Sequence, residues 1–334
     1  MKILRYILFP IMPFYYLATW LRNKLFDFGI KKSKSYAFPV ICVGNLSTGG
    51  TGKTPMIEYL IGLLKKDYKV ATLSRGYKRK TEGFQLGDIN ASAETIGDEP
   101  FQFYNKFKDD VLVAVDADRQ NGIDQLRSLT NAPEVILLDD AYQHRKVKAG
   151  FNILLTTYAN PYFHDVVLPT GNLREPRSGA KRANIVVVTK CPDNLLDSDK
   201  AKFLKLINSN ENQQVFFSSI AYSNRLISSE KTLEIKELEV FTLVTGIANP
   251  KPLIDFLELK NLKFEHLNFR DHHNFTPDDI AELSKKELIV TTEKDFMRLK
   301  DYEVLKNKLF YLPITISIDN EKEFSCVIKR YLDV

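Results

Sequence analysis

The stretch V-G-N-L-S-T-G-G-T-G-K-T-P, Val43 to Pro55, constrains this chain more than any other. An apolar run precedes it and a helical period follows, so it must be a turn between a strand and a helix. Gly49, Gly50 and Gly52 let the backbone curl until its N–H groups face one point, the geometry that receives phosphate oxygens. Lys53 brings a positive charge to the β and γ phosphates, and Thr54 offers a hydroxyl to Mg²⁺. Pro55 suits a first helical turn, where its missing N–H costs nothing. The usual loop opens with Gly where this chain has Ser47; the paired glycines at 49 and 50 restore the flexibility. Ser47, Thr48, Gly49, Gly50, Thr51, Gly52, Lys53 and Thr54 are therefore the expected ATP-binding residues, with Mg²⁺ as cofactor.

Around this turn the chain alternates apolar runs with helical periodicity. Strands are expected at 39–43, 69–73, 111–115, 135–138, 151–155 and 185–188, and a helix at 56–64. Near-continuous Val, Ile and Leu runs fit parallel strands covered on both faces. The expected fold is α/β: a P-loop NTPase-like, mostly parallel sheet with helices on both faces, then a smaller α/β C-terminal domain. A polar stretch at 208–214 places the boundary near residue 215. The domains are then 1–35, a membrane-interface helical segment; 36–215, the nucleotide-binding core; and 216–334, a smaller lid.

Charge is unevenly placed. The net charge is +5, yet residues 1–35 hold seven basic residues against Asp27, so the remainder is close to neutral. That excludes a basic nucleic-acid-binding body. Three widely spaced cysteines, Cys42, Cys191 and Cys326, support neither a disulfide framework nor a zinc site. The uncharged stretch 6–21 is shorter than a spanning helix needs and carries Pro10 and Pro13. Its Trp, Tyr and Phe content with flanking Arg and Lys fits a helix lying in the lipid interface. Docking onto the protein's own core and a true span are the alternatives.

Several constellations accompany the turn. E-V-I-L-L-D-D ends an apolar strand with Asp139 and Asp140, the pattern of a second metal-binding element. His144 follows in D-D-A-Y-Q-H-R, either a functional group or a satisfied structural one. Asp98 in G-D-E-P is a helix N-cap or a base for a hydroxyl proton. Arg75, Lys78 and Arg79 in S-R-G-Y-K-R-K follow a strand, in the ligand crevice or in a solvated loop. In L-P-T-G-N-L-R-E-P-R, Arg174 can pair with phosphate and Glu175 can complete a metal shell. F-R-D-H-H-N-F places His272 and His273 together. T-K-C-P-D and T-E-K-D both miss the N-K-x-D guanine signature. A non-catalytic nucleotide switch and a membrane-docked binding module are the rival functions.

Taken in order, these motifs, with V-T-G-I-A-N-P, resemble the tetraacyldisaccharide 4′-kinase family, which phosphorylates a lipid A precursor. The resemblance spans residues 40–300. It implies transfer of the ATP γ-phosphate to the 4′-hydroxyl of a tetraacyldisaccharide 1-phosphate, giving lipid IV-A, at the cytoplasmic face of a bacterial inner membrane. It implies Lys53, Asp98 and His272 as catalytic residues, with His272 chosen over His273. Thr54, Asp139, Asp140 and Glu175 would lie around the metal, and Arg75, Lys78, Arg79, His144 and Arg174 would face substrate. The implied partners are the lipid disaccharide and a membrane surface, held peripherally or monotopically, with no nucleic acid and no obligatory protein partner. One departure is Ala141-Tyr142, where Gly-Phe or a similar pair is expected.

Overall fold

The run Val40–Asn45 is buried at every residue, as a central strand covered on both faces must be. The computed structural model describes residues 5, 7–207, 213–271 and 273–333. Two compact units form: 1–220 together with 316–334, and 221–315.

In the first unit, α1 (Met12–Asp27) precedes β1 (Val40–Asn45) and α2 (Lys53–Leu64). Next come β2 (Val70–Ser74), β3 (Gln85–Leu86), α3 (Asp98–Phe107), β4 (Val111–Val115) and α4 (Arg119–Ser128). The series continues with β5 (Val135–Asp139), β6 (Phe151–Thr157), β7 (Ile185–Thr189), α5 (Asp197–Ile207) and β8 (Gln214–Tyr222). Every strand expected before residue 190 forms, with one or two more residues at its carboxyl end in all but one case. The polar stretch from 208 to 212 lies outside the described residues.

The second unit holds β9 (Arg225–Ile227), β10 (Thr232–Glu234), β11 (Val240–Thr245), α6 (Lys251–Leu259) and β12 (Lys263–Asn268). It continues through α7 (Pro277–Leu283), β13 (Ile289–Thr291), α8 (Glu293–Leu299) and β14 (Leu309–Tyr311). Its sheet runs β10-β9-β14-β13-β11-β12, with β12, β11, β13 and β14 mutually parallel.

The chain then leaves the expected lid. β15 (Ile314–Ile318) joins the edge of the first sheet beside β8, and α9 (Glu321–Leu332) packs on that sheet. Ile318, Phe324 and Ile328 are buried in the same core as Ile41, Ile57 and Leu60. The domain expected to run to 334 therefore ends near 315. The reason is hydrophobic: Phe324 meets Phe216 edge-on at 5.2 Å and Tyr59 at 5.7 Å, burial that stabilises by about 1.5–3 kcal/mol per large side chain.

Among the described residues the first sheet has the order β15-β8-β7-β6-β1-β5-β2-β4-β3. Strands β4, β2, β5, β1, β6, β7 and β8 are successively parallel, and short β3 closes the edge antiparallel. β1 and β5 lie side by side, so the glycine turn and the acidic pair leave the sheet at neighbouring carboxyl ends, where such sheets bind ligands.

One face of α1 docks on the protein's own core, one of the sequence alternatives. Met12 and Tyr15 pack against the core and Asn23 is buried, while Phe14, Leu17 and Leu21 on the other side are exposed. Among the described residues no helix is long and apolar enough to cross a membrane.

Candidate phosphoryl-transfer site

The glycine turn is held from three sides. Gly52 has φ +89°, a left-handed conformation that lets α2 begin immediately behind the turn. Asn45 Nδ2 donates to Thr51 Oγ1 at 2.7 Å, and Thr189 Oγ1 donates to the Thr51 carbonyl at 2.8 Å. Lys190 Nζ donates to the Gly50 carbonyl at 2.7 Å. T-K-C-P-D, dismissed as a guanine reader, thus braces the phosphate loop instead. The L-P-T-G-N-L-R-E-P loop adds the third side: Thr48 N donates to Asn172 O and Arg174 N to Leu46 O, each at 2.7 Å.

That pairing fixes where Arg174 lies. Its guanidinium NH1 stands 2.9 Å from Asp140 Oδ1 and 3.1 Å from Oδ2, and Lys53 Nζ is 3.7 Å from the same Oδ1. Asp140 adopts φ +48°, uncommon outside glycine, in the turn that ends β5. Its carboxylate therefore holds two cations at the mouth of the loop. Asp140 was expected in the metal shell; its partners are Lys53 and Arg174.

Behind the loop lies an oxygen cluster. Thr54 Oγ1 donates to Glu99 Oε1 at 3.2 Å, and Ser74 Oγ donates to Asp139 Oδ2 at 3.2 Å. Asp139 is buried, and its Oδ1 has no hydrogen-bond partner. Burial, then the charge of Glu99, pushes its carboxyl up to about 7, against the pull of Lys53. A buried carboxylate oxygen without a partner, beside a second carboxylate and a hydroxyl, is a hard-oxygen set that suits Mg²⁺. No group of three or more His, Cys, Asp or Glu side chains forms a metal cluster among the described residues. That is compatible with an ion held largely by phosphates and water.

Glu175 departs from expectation. It is 1% exposed, and its oxygens accept from Arg182 at 2.8 and 2.9 Å, Asn23 Nδ2 at 2.6 Å and Gln143 Nε2 at 3.0 Å. Four donors saturate its lone pairs, so it acts as a tie between α1 and the loops around the site rather than as a metal ligand. Gln143 Nε2 also donates to the Asn45 carbonyl at 2.8 Å, which carries the tie to the end of β1.

Asp98 is the first residue of α3, and Gly97 takes the N-cap, so the cap alternative for Asp98 does not form. Gly97 has φ +92°, and a Cβ there would lie 3.3 Å from Gly76 backbone. Only glycine permits this approach of G-D-E-P to S-R-G-Y. Arg75 and Lys78 are exposed. Arg79, expected toward substrate, instead donates to the Gly83 carbonyl at 2.6 Å and braces its own loop. His144 is half-buried; burial and then nearby Arg119 hold its imidazole below the ordinary value.

Three groups were missed by sequence reasoning. Glu99 stood next to Asp98 in a motif already singled out. Arg119, buried, donates from NH1 to Asp116 O at 2.7 Å, and its charge acts on both Asp139 and His144. Its only signal was D-A-D-R after β4. Lys190 was visible in T-K-C-P-D but assigned no role.

In the second unit, His273 Nε2 is 2.9 Å from Asp279 Oδ2, and its ring stacks on Phe269 at 4.8 Å. Its role is local, at the start of α7. His272 lies outside the described residues. Thr292 caps α8, with Thr292 Oγ1 donating to Asp295 Oδ2 at 2.7 Å and Gly246 N donating to the same oxygen at 2.8 Å. T-E-K-D and V-T-G thus meet as one structural joint.

A glycine loop with a lysine tip, braced between parallel strands and backed by a hydroxyl–carboxylate cluster, defines a P-loop nucleotide-dependent phosphotransferase. The chain belongs to the tetraacyldisaccharide-1-P 4′-kinase family, whose model matches residues 4–333. It is 54% identical to a tetraacyldisaccharide 4′-kinase of Flavobacterium johnsoniae, covering 99% of this chain and 98% of that one. It is 45% identical to the enzyme of the same name from Phocaeicola vulgatus, over 97% of this chain and 94% of that one. Among solved structures it is similar to the "apo" form of LpxK from Aquifex aeolicus in complex with ATP. That likeness has a TM-score of 0.79 at 33% identity, over 98% of this chain and 99% of the other.

Proposed function

We propose that this chain transfers the γ-phosphate of ATP to the 4′-hydroxyl of a tetraacyldisaccharide 1-phosphate, giving lipid IV-A, at the cytoplasmic face of the inner membrane. The observation that carries this reading is the juxtaposition of two groups at adjacent strand ends. Lys53, held with Arg174 by Asp140, faces the mouth of the loop, while Thr54, Glu99 and Asp139 gather behind it.

The loop amides and Lys53 orient the triphosphate and neutralise its charge, the main requirement of phosphoryl transfer. Thr54, Asp139 and Glu99 would hold Mg²⁺, which would supply charge neutralisation to the triphosphate. Asp98 takes the proton of the acceptor hydroxyl, with His272 as its partner in the base role. Arg75, Lys78 and Arg174 face the anionic acceptor. The exposed side of α1 seats the enzyme on the bilayer without an obligatory protein partner.

Incubation with γ-labelled ATP, Mg²⁺ and a disaccharide lipid precursor tests the reading. Label in the lipid supports the kinase. Label released only as free phosphate means a nucleotide switch, and no turnover means a binding module; either overturns it.

A further inference from the structure

The segment after α1 folds back on the chain that follows the acidic pair. Lys34 N donates to Lys146 O at 2.7 Å, Lys148 N to Lys34 O at 2.9 Å, and Ser33 Oγ to Arg145 O at 2.6 Å. From α1 itself, Arg22 NH2 donates to Gln143 O at 2.6 Å, and Arg145 NH1 donates to Asn23 O at 2.8 Å. Between these strands of chain lies a concavity of about 340 Å³, lined by Arg22, Lys31, Lys32, His144, Arg145 and Lys146.

Its charge is one-sided. Asp27 is paired with Arg145 at 2.8 Å and Lys24 at 4.0 Å. Among the described residues no carboxylate lies within ion-pair distance of Lys31, Lys32 or Lys146. His144 Nε2 is buried without a hydrogen-bond partner. The ring of Phe26 also lines the pocket, with Arg145 5.1 Å, Arg22 5.8 Å and Lys31 5.9 Å from its centroid. With Arg145 paired to Asp27, the four remaining cations around the concavity, Arg22, Lys31, Lys32 and Lys146, repel one another unless a further anion sits among them. No side chain of the glycine loop lines this pocket.

The neighbouring surface says which anion. Phe28 and Ile30, in the turn leading from α1 to Lys31, are 74% and 69% exposed. A soluble phosphate ester gains nothing from them, whereas an acyl chain buries against them.

We propose that this pocket binds the phosphate of an acidic phospholipid of the bilayer, at a site separate from the glycine loop. The headgroup phosphate lies among Lys31, Lys32 and Lys146, with Arg22 and Arg145 beneath, and the acyl chains follow Phe28 and Ile30. The assignment rests on the membrane-seated reading of α1.

The test is co-sedimentation of the full chain with vesicles of phosphatidylcholine alone and of phosphatidylcholine with phosphatidylglycerol in equal parts. The variant Lys31→Gln/Lys32→Gln/Lys146→Gln is compared with a control of equal charge loss, Lys66→Gln/Lys202→Gln/Lys205→Gln. The pocket variant should lose most of the preference for phosphatidylglycerol, on the order of a hundredfold in affinity if each cation contributes about fivefold. The control should keep it, and both should bind ATP as the unmodified chain does. Wild-type protein that sediments with neither vesicle means the membrane reading itself fails. Wild-type protein that binds while both variants lose the preference equally, or neither does, overturns the pocket alone. Displacement from vesicles by glycerol 3-phosphate would mark a soluble-ester site and overturn the lipid assignment. So would a raised KM of the pocket variant for the disaccharide in phospholipid-free detergent micelles, which would make the pocket part of the acceptor's own site.

Discussion

Asn23 Nδ2 donates to Glu175 Oε2 at 2.6 Å, a buried bond across 152 residues of sequence that joins α1 to the loop carrying Arg174. Tyr15 OH, donating to the Arg174 carbonyl at 3.0 Å, makes a second join from the same helix. The helix is therefore part of the scaffold of the site.

Glu175→Ala leaves Arg182 half of a broken buried pair, which typically costs about 3–5 kcal/mol. Asn23→Ala removes one charge-assisted bond and should cost about 1–3 kcal/mol. Denaturant unfolding of both variants checks the ranking. The Mg²⁺ concentration giving half-maximal activity should stay unchanged in whatever Glu175→Gln protein folds; a several-fold rise would return Glu175 to the metal shell.

Asp98→Ala should reduce kcat by about 10²–10⁴-fold, the usual worth of a general base, while KM for ATP holds steady. Steady-state kinetics with varied ATP and varied lipid separates the two. Turnover close to wild type would remove Asp98 from the base role.

Lys190→Ala frees the Gly50 carbonyl from its brace without touching the Lys53 charge. A lost hydrogen bond of about 1–1.5 kcal/mol corresponds to a rise of roughly five- to tenfold in KM for ATP. Direct nucleotide titration should show the same factor. A selective loss of kcat would mean that Lys190 acts on the transition state instead.

Asp139 carries a pH signature. Burial, then the charge of Glu99, pushes its folded carboxyl up to about 7 from 3.8 for the unperturbed group. Between those values the folded state binds the extra proton, so stability falls as pH rises through this window. Asp139→Asn removes the penalty. Without divalent metal the variant should be more stable than wild type at pH 8 and nearly equal to it below pH 4. Denaturant melts at the two pH values check this, and the variant's activity should be lost throughout.

Much of the site was legible because it is local in sequence. The glycine turn needs only its spacing, its preceding strand and its following helix, and Gly52, Lys53 and Thr54 fall where that reasoning put them. Asp139 follows from an apolar run ending in carboxylates. Glu99, Arg119 and Lys190 were not legible in the same way. Their partners, Thr54, Asp139 and Gly50, are supplied by segments distant in the chain, and no periodicity announces such meetings. Glu175 misled for the same reason: a conspicuous acid in a loop is indistinguishable on paper from one saturated by Asn23, Gln143 and Arg182.

The sequence by itself determined the α/β alternation, the phosphate-gripping turn, the acidic strand end and a basic, apolar amino-terminal segment, because each depends on residues within a turn or two of one another. Only the tertiary structure decided which carboxylates keep an oxygen open and which are consumed by ion pairs, that the last helix returns to the first sheet, and that Arg22, Lys31, Arg145 and Lys146 ring one concavity. Those outcomes depend on through-space distances of a few ångströms between segments far apart in the chain. Coulomb and hydrogen-bond energies act over those distances, not over sequence separation.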